Sequence, residues 1–221
     1  MFLQAPIERP NVTHVLADAL REAIVDGRIR AGSRINEVRL SSELNVSRTP
    51  LREALMHLSA EGTVESLPRR GFFIRGLTIE EFENIYSIRA ILDPQALRLT
   101  GIPEQQRLDK LEKLNRQLIA AKSAARRIEL DNAWHLELLT ECPNRVLVDL
   151  IRQFMGRTRR YELALLREGR NAEITASEHK RIIAALRDRD LSGACVALRK
   201  NMESGRAPII HWLKDRESAQ A

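Results

Sequence analysis

Asn45-Val46-Ser47-Arg48-Thr49-Pro50-Leu51-Arg52-Glu53-Ala54-Leu55 decides how this chain folds. Ser47 is suited to cap a helix, Pro50 fits its first turn, and Leu51, Ala54, Leu55 and Leu58 recur at the spacing of one buried face, with Gly62 as the stop. Upstream, Val38, Leu40 and Leu44 make a short amphipathic piece, and Ala31-Gly32-Ser33 turns the chain. Before that, Val12, Val15, Leu16, Ala19, Leu20, Ala23 and Ile24 predict a first helix, capped at Asn11 or Thr13 and ending near Gly27. Downstream, Thr63-Val64-Glu65-Ser66-Leu67 reads as a strand, Pro68-Arg69-Arg70-Gly71 as a turn and Phe72-Phe73-Ile74 as the returning strand. Three helices and a hairpin are thus expected by residue 76.

A helix, a tight turn and a second helix with polar residues at its start is the layout that sets a helix N-terminus against the major groove of DNA. Arg48 and Arg52, four apart, share one exposed face while the leucines point inward. The Ser47 and Thr49 hydroxyls and the free N–H groups of the first turn can hold phosphates. Arg69, Arg70 and Gly71 at the hairpin turn are placed to approach a minor groove or the backbone. For an arginine pair alone, a solvated polar cap is the plainer reading; the hairpin and preceding helices favour DNA contact.

Composition sets the frame. The 221 residues are 43% hydrophobic and 30% charged, and no apolar run approaches the roughly 18 residues of a membrane helix. Aromatics are 4%, and β-branched residues do not alternate in long runs, so a large sandwich or barrel is disfavoured and helices favoured. The net charge of +6 permits nucleic-acid binding without selecting for it. Cys142 and Cys195 are isolated, with no CxxC and no secretory signal ahead of them, so a reducing cytoplasm is expected.

From Thr78 onward the pattern is helical, punctuated by Pro94, Gly101-Ile102-Pro103, Cys142-Pro143-Asn144, Gly169-Arg170-Asn171 and Asp190. Two domains are expected: residues 1–76, and an all-α bundle of five to seven helices over 77–221. Pro94 predicts a kink within the run Ile85 to Leu99. Asp131 and His135, four apart, project a carboxylate and an imidazole from one helix face, as metal ligation needs; alone, such a pair is more often a surface hydrogen bond. Thr175 and Glu178 form a capping-box pattern that puts His179 in a first helical turn, where it either faces a shared cavity or stabilises the helix end. Arg89 is spaced to pair with Asp93. Arg157, Arg160 and Tyr161 are further pocket candidates, against the reading that they form a wet face.

The Ser47-Arg-Thr-Pro-Leu-Arg-Glu-Ala-Leu55 core, with Leu58, Glu61-Gly62 and the Arg70-Gly71-Phe72-Phe73 hairpin, resembles the winged helix-turn-helix of the GntR family of bacterial transcription regulators over residues 12 to 76. The resemblance implies that Ser47, Arg48, Thr49 and Arg52 face the operator and that the wing tip, Arg69 to Gly71, enters the minor groove. Many members carry arginine where this chain has Val38; here Arg39 follows it and is taken as the DNA-facing cation of that helix. The pattern Asp131-x-x-x-His135, Glu178-His179-x-x-Ile182-x-x-Ala185-Leu186 and the helix start at Asp190 resemble the FCD ligand-binding domain, of the FadR/VanR type, that follows many GntR winged helices. That likeness implies a dimerising helical bundle that binds small effectors, commonly organic acids. In metal-binding members an Asp and three His hold a divalent ion of the zinc or nickel type. Asp131, His135 and His179 match the first three positions, and the fourth falls on Asn201, a weak ligand through its carbonyl oxygen. Either water or effector completes the site, or the ion has been lost. His211 is about 15 Å of helix beyond Asn201, too far to replace it, and reads with Trp212 as packing. The family pattern also makes Arg89 an effector clamp as well as a partner of Asp93.

The expected protein is therefore a DNA-binding regulator, a repressor by the family's default, that reads a palindromic operator as a homodimer under control of a small molecule. Two rivals stand beside it. One is a metal-dependent hydrolase using Asp131, His135 and His179, though no general base adjoins them except Glu178, which the cap requires. The other is a DNA-binding protein whose helical half only dimerises.

Overall fold

A computed structural model describes residues 12–25, 28–30, 32–167 and 172–220. Asn11, Gly27, Ala31 and the Gly169-Arg170-Asn171 break lie outside the described residues. The fold is mainly α, and the chain divides into two compact units, Met1–Gly76 and Leu77–Ala221.

In the first unit α1 (Val12–Val25), α2 (Glu37–Glu43) and α3 (Arg48–Ala60) precede the antiparallel strands β1 (Val64–Leu67) and β2 (Gly71–Ile74). Leu51, Ala54, Leu55 and Leu58 are wholly buried, packed with Leu16, Leu20, Ile35, Val64, Phe72 and Ile74. The inward stripe of α1 is narrower than its periodicity suggests: Leu16, Ala17 and Leu20 are buried, while Val12, Val15 and Ala19 are exposed. Thr13 is not a cap; it lies inside α1 and its hydroxyl donates to Glu53 at 3.0 Å. Asn36 caps α2, accepting from the Arg39 N–H. Ser47 occupies the N-cap position of α3 without a side-chain bond, which leaves its hydroxyl free for another partner. Asn45, at φ 51°, makes the turn between α2 and α3, a conformation asparagine tolerates better than most residues.

Strand pairing runs from Val64 opposite Ile74 to Leu67 opposite Gly71. The segment read as a simple turn around Gly32-Ser33 continues as a third edge: Ile35 N donates to Phe72 O and Ile74 N to Ser33 O. This edge holds the hairpin against the helices.

The second unit is built from α4 (Ile79–Thr100), α5 (Gln105–Ala120), α6 (Ala124–Leu138), α7 (Arg145–Arg167), α8 (Ala172–Arg187), α9 (Leu191–Ser204) and α10 (Arg206–Gln220). α4 packs on α9 and α7, α8 on α9 and α5, and α6 on α5 and α7. Leu97, Leu111, Trp134, Leu138, Ile151, Ile182, Leu186 and Leu198 fill the core between them. Asp190 caps α9 by accepting from Gly193 N at 2.7 Å. α4 runs through Pro94, which lacks the N–H that would close the preceding turn; the Cys195 thiol donates to the Pro94 carbonyl at 3.4 Å. Trp212 is buried in α10, while His211 is exposed and faces Asp215. The capping box at Thr175–Glu178 does not form. α8 begins at Ala172, so His179 sits in mid-helix, and Glu178 bonds instead to residues of α9. No described helix is long and apolar enough to cross a membrane.

Candidate functional site

The start of α3 presents its polar residues outward. Ser47, Arg48, Thr49 and Arg52 are all exposed, because the leucines at 51, 55 and 58 fix the opposite face in the core. Arg52 Nε lies 3.3 Å from Glu37 Oε2 on α2, an exposed pair worth little to stability that holds the guanidinium in place. Arg39, also exposed, is bonded through Nε to Glu43 at 2.7 Å on its own helix. Its neighbour Val38 is exposed as well.

At the wing, Arg70 N donates to Leu67 O to close a four-residue turn in which Arg69 takes φ 62°. That left-handed conformation costs a non-glycine residue about 1 to 2 kcal/mol, and it leaves the Arg69 side chain exposed at the tip of the hairpin. Gly71, at φ 89°, avoids the same strain, and a Cβ there would lie 3.7 Å from the Arg34 guanidinium. Arg70 lies over the Phe73 ring at 5.5 Å. Arg34 is a cation that the sequence reading missed: with Arg48, Glu37 and Gly71 it lines a concavity between wing and helix. Arg34 forms an isolated bridge with Phe73 just after the Ala31-Gly32-Ser33 turn, where the sequence carries no strand pattern.

The second unit buries its polar groups. Asp131 and His135 on α6 and His179 on α8 each offer a ligand atom, all within 4.8 Å of one another. His179 Nε2 is 3.4 Å from Asp131 Oδ1, and His135 Nε2 is 3.9 Å from Asp131 Oδ2. Trp134 stacks flat on the His179 ring, with centroids 3.7 Å apart.

Hydrogen bonding behind the ring assigns its tautomer. Asn115 Nδ2 donates to the Ala176 carbonyl at 2.9 Å, which turns Asn115 Oδ1 toward His179 Nδ1, 3.1 Å away. Nδ1 therefore carries the proton, and Nε2 presents a buried lone pair, without a hydrogen-bond partner, to a carboxylate oxygen. Two acceptors face each other, an arrangement that a cation between them would satisfy. Burial pulls the His179 pKa down to about 3, so its ring is neutral. Burial, then the Arg89 charge and the adjoining His179 ring, hold His135 well below its ordinary value too. Neutral imidazoles, a carboxylate and an N–H acceptor behind one ring are the donor set and support that a divalent ion needs, so these residues fit one.

Beside this cluster, Arg89 Nη2 and Asp93 Oδ2 on α4 form a buried ion pair at 2.7 Å. Burial opposes the charge on Arg89, but the Asp93 carboxylate outweighs it and keeps the guanidinium protonated. Asp93 Oδ2 also lies 3.9 Å from His135 Nδ1. A cavity of about 60 Å³ opens here, lined by Arg89, Asp131, His135 and Asn201 among the expected residues, and by Arg127 and Glu162, which sequence reasoning missed. Neither Arg127 nor Glu162 carries a local spacing signal; their approach is tertiary.

Arg157 and Tyr161 do not line it. Arg157 lies 3.5 Å from Glu81, and the Tyr161 hydroxyl bonds to Glu81 Oε2 at 2.9 Å and to the Thr78 backbone. Arg160 pairs with the same Glu81 and lies over the Tyr161 ring. These residues pin the start of α4 to α7. Burial, opposed by Arg160 and reinforced by Glu81, pushes the Tyr161 pKa up to about 12.

Comparison with known proteins agrees with both halves. Residues 13–74 match the model of bacterial regulatory proteins of the gntR family, and residues 84–204 match the FCD domain. The chain is 32% identical over 166 residues to the Nta operon transcriptional regulator of Aminobacter aminovorans, covering 72% of this chain and 76% of that one. It is 29% identical over 176 residues to the HTH-type transcriptional repressor RspR of Escherichia coli, covering 77% of each. The solved structure of E. coli McbR/YncC shares the fold, with a TM-score of 0.71 at 23% identity over 91% of this chain and 98% of that one.

Proposed function

The chain belongs to the GntR family of bacterial transcription regulators, with an FCD domain behind its DNA-binding winged helix, and from that premise we propose that it is a cytoplasmic repressor, released from a palindromic operator by a small carboxylate. The observation that carries the DNA reading is the exposed end of α3, where Ser47, Arg48, Thr49 and Arg52 stand clear of the core. Arg48 and Arg52 would reach base edges in the major groove, Ser47 and Thr49 and the helix N-terminus would hold phosphates, and Arg69 and Arg70 with Gly71 would follow the minor groove. Arg39 would add a backbone contact once it leaves Glu43. A homodimer would set two such helices one turn of DNA apart. The name of RspR supports repression by likeness only.

In the FCD domain, Asp131, His135 and His179 would hold a divalent ion, which would offer a Lewis-acidic point to an effector carboxylate. Arg89, anchored by Asp93, would donate to that carboxylate, and Asn201 would meet it or the ion from α9. The cavity's walls come from several helices, so a bound organic acid would touch more than one of them at once. Glu162 and Leu166 of α7 form part of those walls. The same helix holds Thr78, two residues past the end of the winged unit, through Tyr161. A ligand that moves α7 would thereby move the anchor of the linker, and its unequal affinity for the two arrangements would shift the operator-binding population.

Against the hydrolase reading, Glu178 beside His179 accepts through Oε2 from Asn201 and Ser204 and does not line the cavity, which leaves Glu162 as the carboxylate a hydrolase would have to use. Selection from random duplex DNA tests the main reading: an enriched inverted repeat is expected, and enrichment of no symmetric motif would refute it. A thermal-shift survey of small carboxylates on the metal-loaded chain tests the effector reading. A rise in melting temperature is expected for one class. No response across the survey would leave a helical half that only dimerises.

A further inference from the structure

We infer that Asn201 gives its carboxamide oxygen to the Asp131, His135 and His179 site as a fourth donor, that Glu178 orients it for this, and that the resulting set narrows the preference for Zn²⁺ over Mn²⁺. The inference rests on the metal reading above and concerns a residue where the resemblance expects histidine.

The orientation follows from hydrogen bonding. Asn201 Nδ2 donates to Glu178 Oε2 at 2.9 Å, and the Ser204 hydroxyl donates to the same oxygen at 2.9 Å. A carboxylate only accepts, so the amide nitrogen must be the end that faces Glu178. The other end, Oδ1, is buried and has no hydrogen-bond partner. Asn201 is 6% exposed and lines the cavity together with Asp131 and His135, whereas Glu178 is not among the lining residues. Glu178 and His179 are consecutive on α8, so their side chains diverge by about 100°, one toward α9 and the other toward the cluster. Burying an amide oxygen without a donor is costly, and native structures avoid it unless an unseen partner meets that oxygen. A cation among the neighbouring ligands is such a partner.

The chemical consequence comes from the donor atoms. Two imidazole nitrogens, a carboxylate oxygen and an amide oxygen make a harder set than three imidazoles and a carboxylate. Imidazole suits zinc and nickel, whereas carboxylate and carbonyl oxygens suit manganese and magnesium. Zinc remains the tighter ion in absolute terms, but replacing one imidazole by an amide oxygen removes more from zinc than from manganese.

The test uses the full chain stripped of metal with a chelator. It is titrated with Mn²⁺ by electron paramagnetic resonance of the free ion, and with Zn²⁺ by competition against a chromophoric chelator. The parent is expected to bind one Mn²⁺ per chain. Asn201→Ala is expected to weaken Mn²⁺ binding at least tenfold, and Glu178→Leu to weaken it severalfold by releasing the amide. Asn201→His is expected to raise the ratio of Zn²⁺ to Mn²⁺ affinity at least tenfold; should this larger side chain prevent folding, the alanine variant still decides whether Asn201 is a ligand. Equal Mn²⁺ affinity for parent and Asn201→Ala would overturn the fourth-donor inference while leaving the three-residue metal site intact. An unchanged ratio in a folded Asn201→His would overturn the selectivity. Binding of neither ion by the parent would remove the metal reading itself, a distinct result.

Discussion

The winged unit and the helical unit place polar side chains in opposite ways. Around α3 the core is apolar, with Arg21 buried at its edge against Glu61, while Arg48, Arg52 and Arg39 stand in solvent, the last two paired with Glu37 and Glu43. In the helical unit Arg89, Asp93, Asn115, His135, His179 and Asn201 are all buried, with Arg89 paired to Asp93, Asn115 bonded to His179 and Asn201 bonded to Glu178. The contrast follows from what each half has to meet. A duplex is a large rigid polyanion and is read from outside, by groups desolvated only on contact. A small anion or an ion is enclosed, by groups whose desolvation is borne by the fold in advance.

The sharpest way to break this contrast is to remove one charge from each half. Asp93→Ala leaves Arg89 buried without its partner and is expected to cost the helical unit about 3 to 5 kcal/mol, seen as a lower denaturation midpoint. Joint replacement by Arg89→Met and Asp93→Leu is expected to recover most of that loss; failure to recover would mean that the pair does not act as a unit. In the winged unit, Arg48→Ala and Arg52→Ala are expected to leave stability unchanged. Each should weaken operator binding by about 1 to 3 kcal/mol per lost base contact, measured at fixed salt. Undiminished affinity in both would show that the face is misassigned.

Arg69→Gly sharpens the comparison at the wing, where the two effects should have opposite sign. Releasing the φ of 62° is expected to stabilise the unit by up to about 1 kcal/mol, while operator affinity falls with the lost cation. The last expected effect shows only at high pH and concerns Tyr161. Its hydroxyl titrates near 12 in the fold against about 10 in the unfolded chain. The stability it lends is thus fully present below pH 10 and lost as pH rises through 12. Melting temperatures between those values should fall less for Tyr161→Phe than for the parent, and parallel curves would exclude Tyr161 as the titrating group.

Much of the first half was legible because its signals are local. The i, i+4 spacing of Arg48 and Arg52 against the inward Leu51, Leu55 and Leu58 fixes which face is wet, whatever the neighbours do. The edge strand at Arg34–Ile35 was not legible, since pairing with Phe72 and Ile74 depends on residues almost forty positions away. In the helical half, Asp131 and His135 declared themselves by spacing, and His179 by its place in a motif. Glu178 looked like a cap because a T-x-x-E pattern precedes it, but α8 starts earlier and frees its carboxylate for α9. Arg157 and Tyr161 looked like pocket residues because nothing local says which face of α7 meets α4.

Sequence by itself determined the elements, the wet face of α3, the three metal-ligand candidates and the family, because helix periodicity, turn chemistry and a nine-residue motif act over short stretches of chain. Tertiary structure alone decided that Asn115 fixes the His179 tautomer, that Glu178 turns Asn201, and that Arg127 and Glu162 join the cavity. Each of these depends on which atoms of distant helices come within hydrogen-bonding reach, and packing, rather than spacing along the chain, sets those distances.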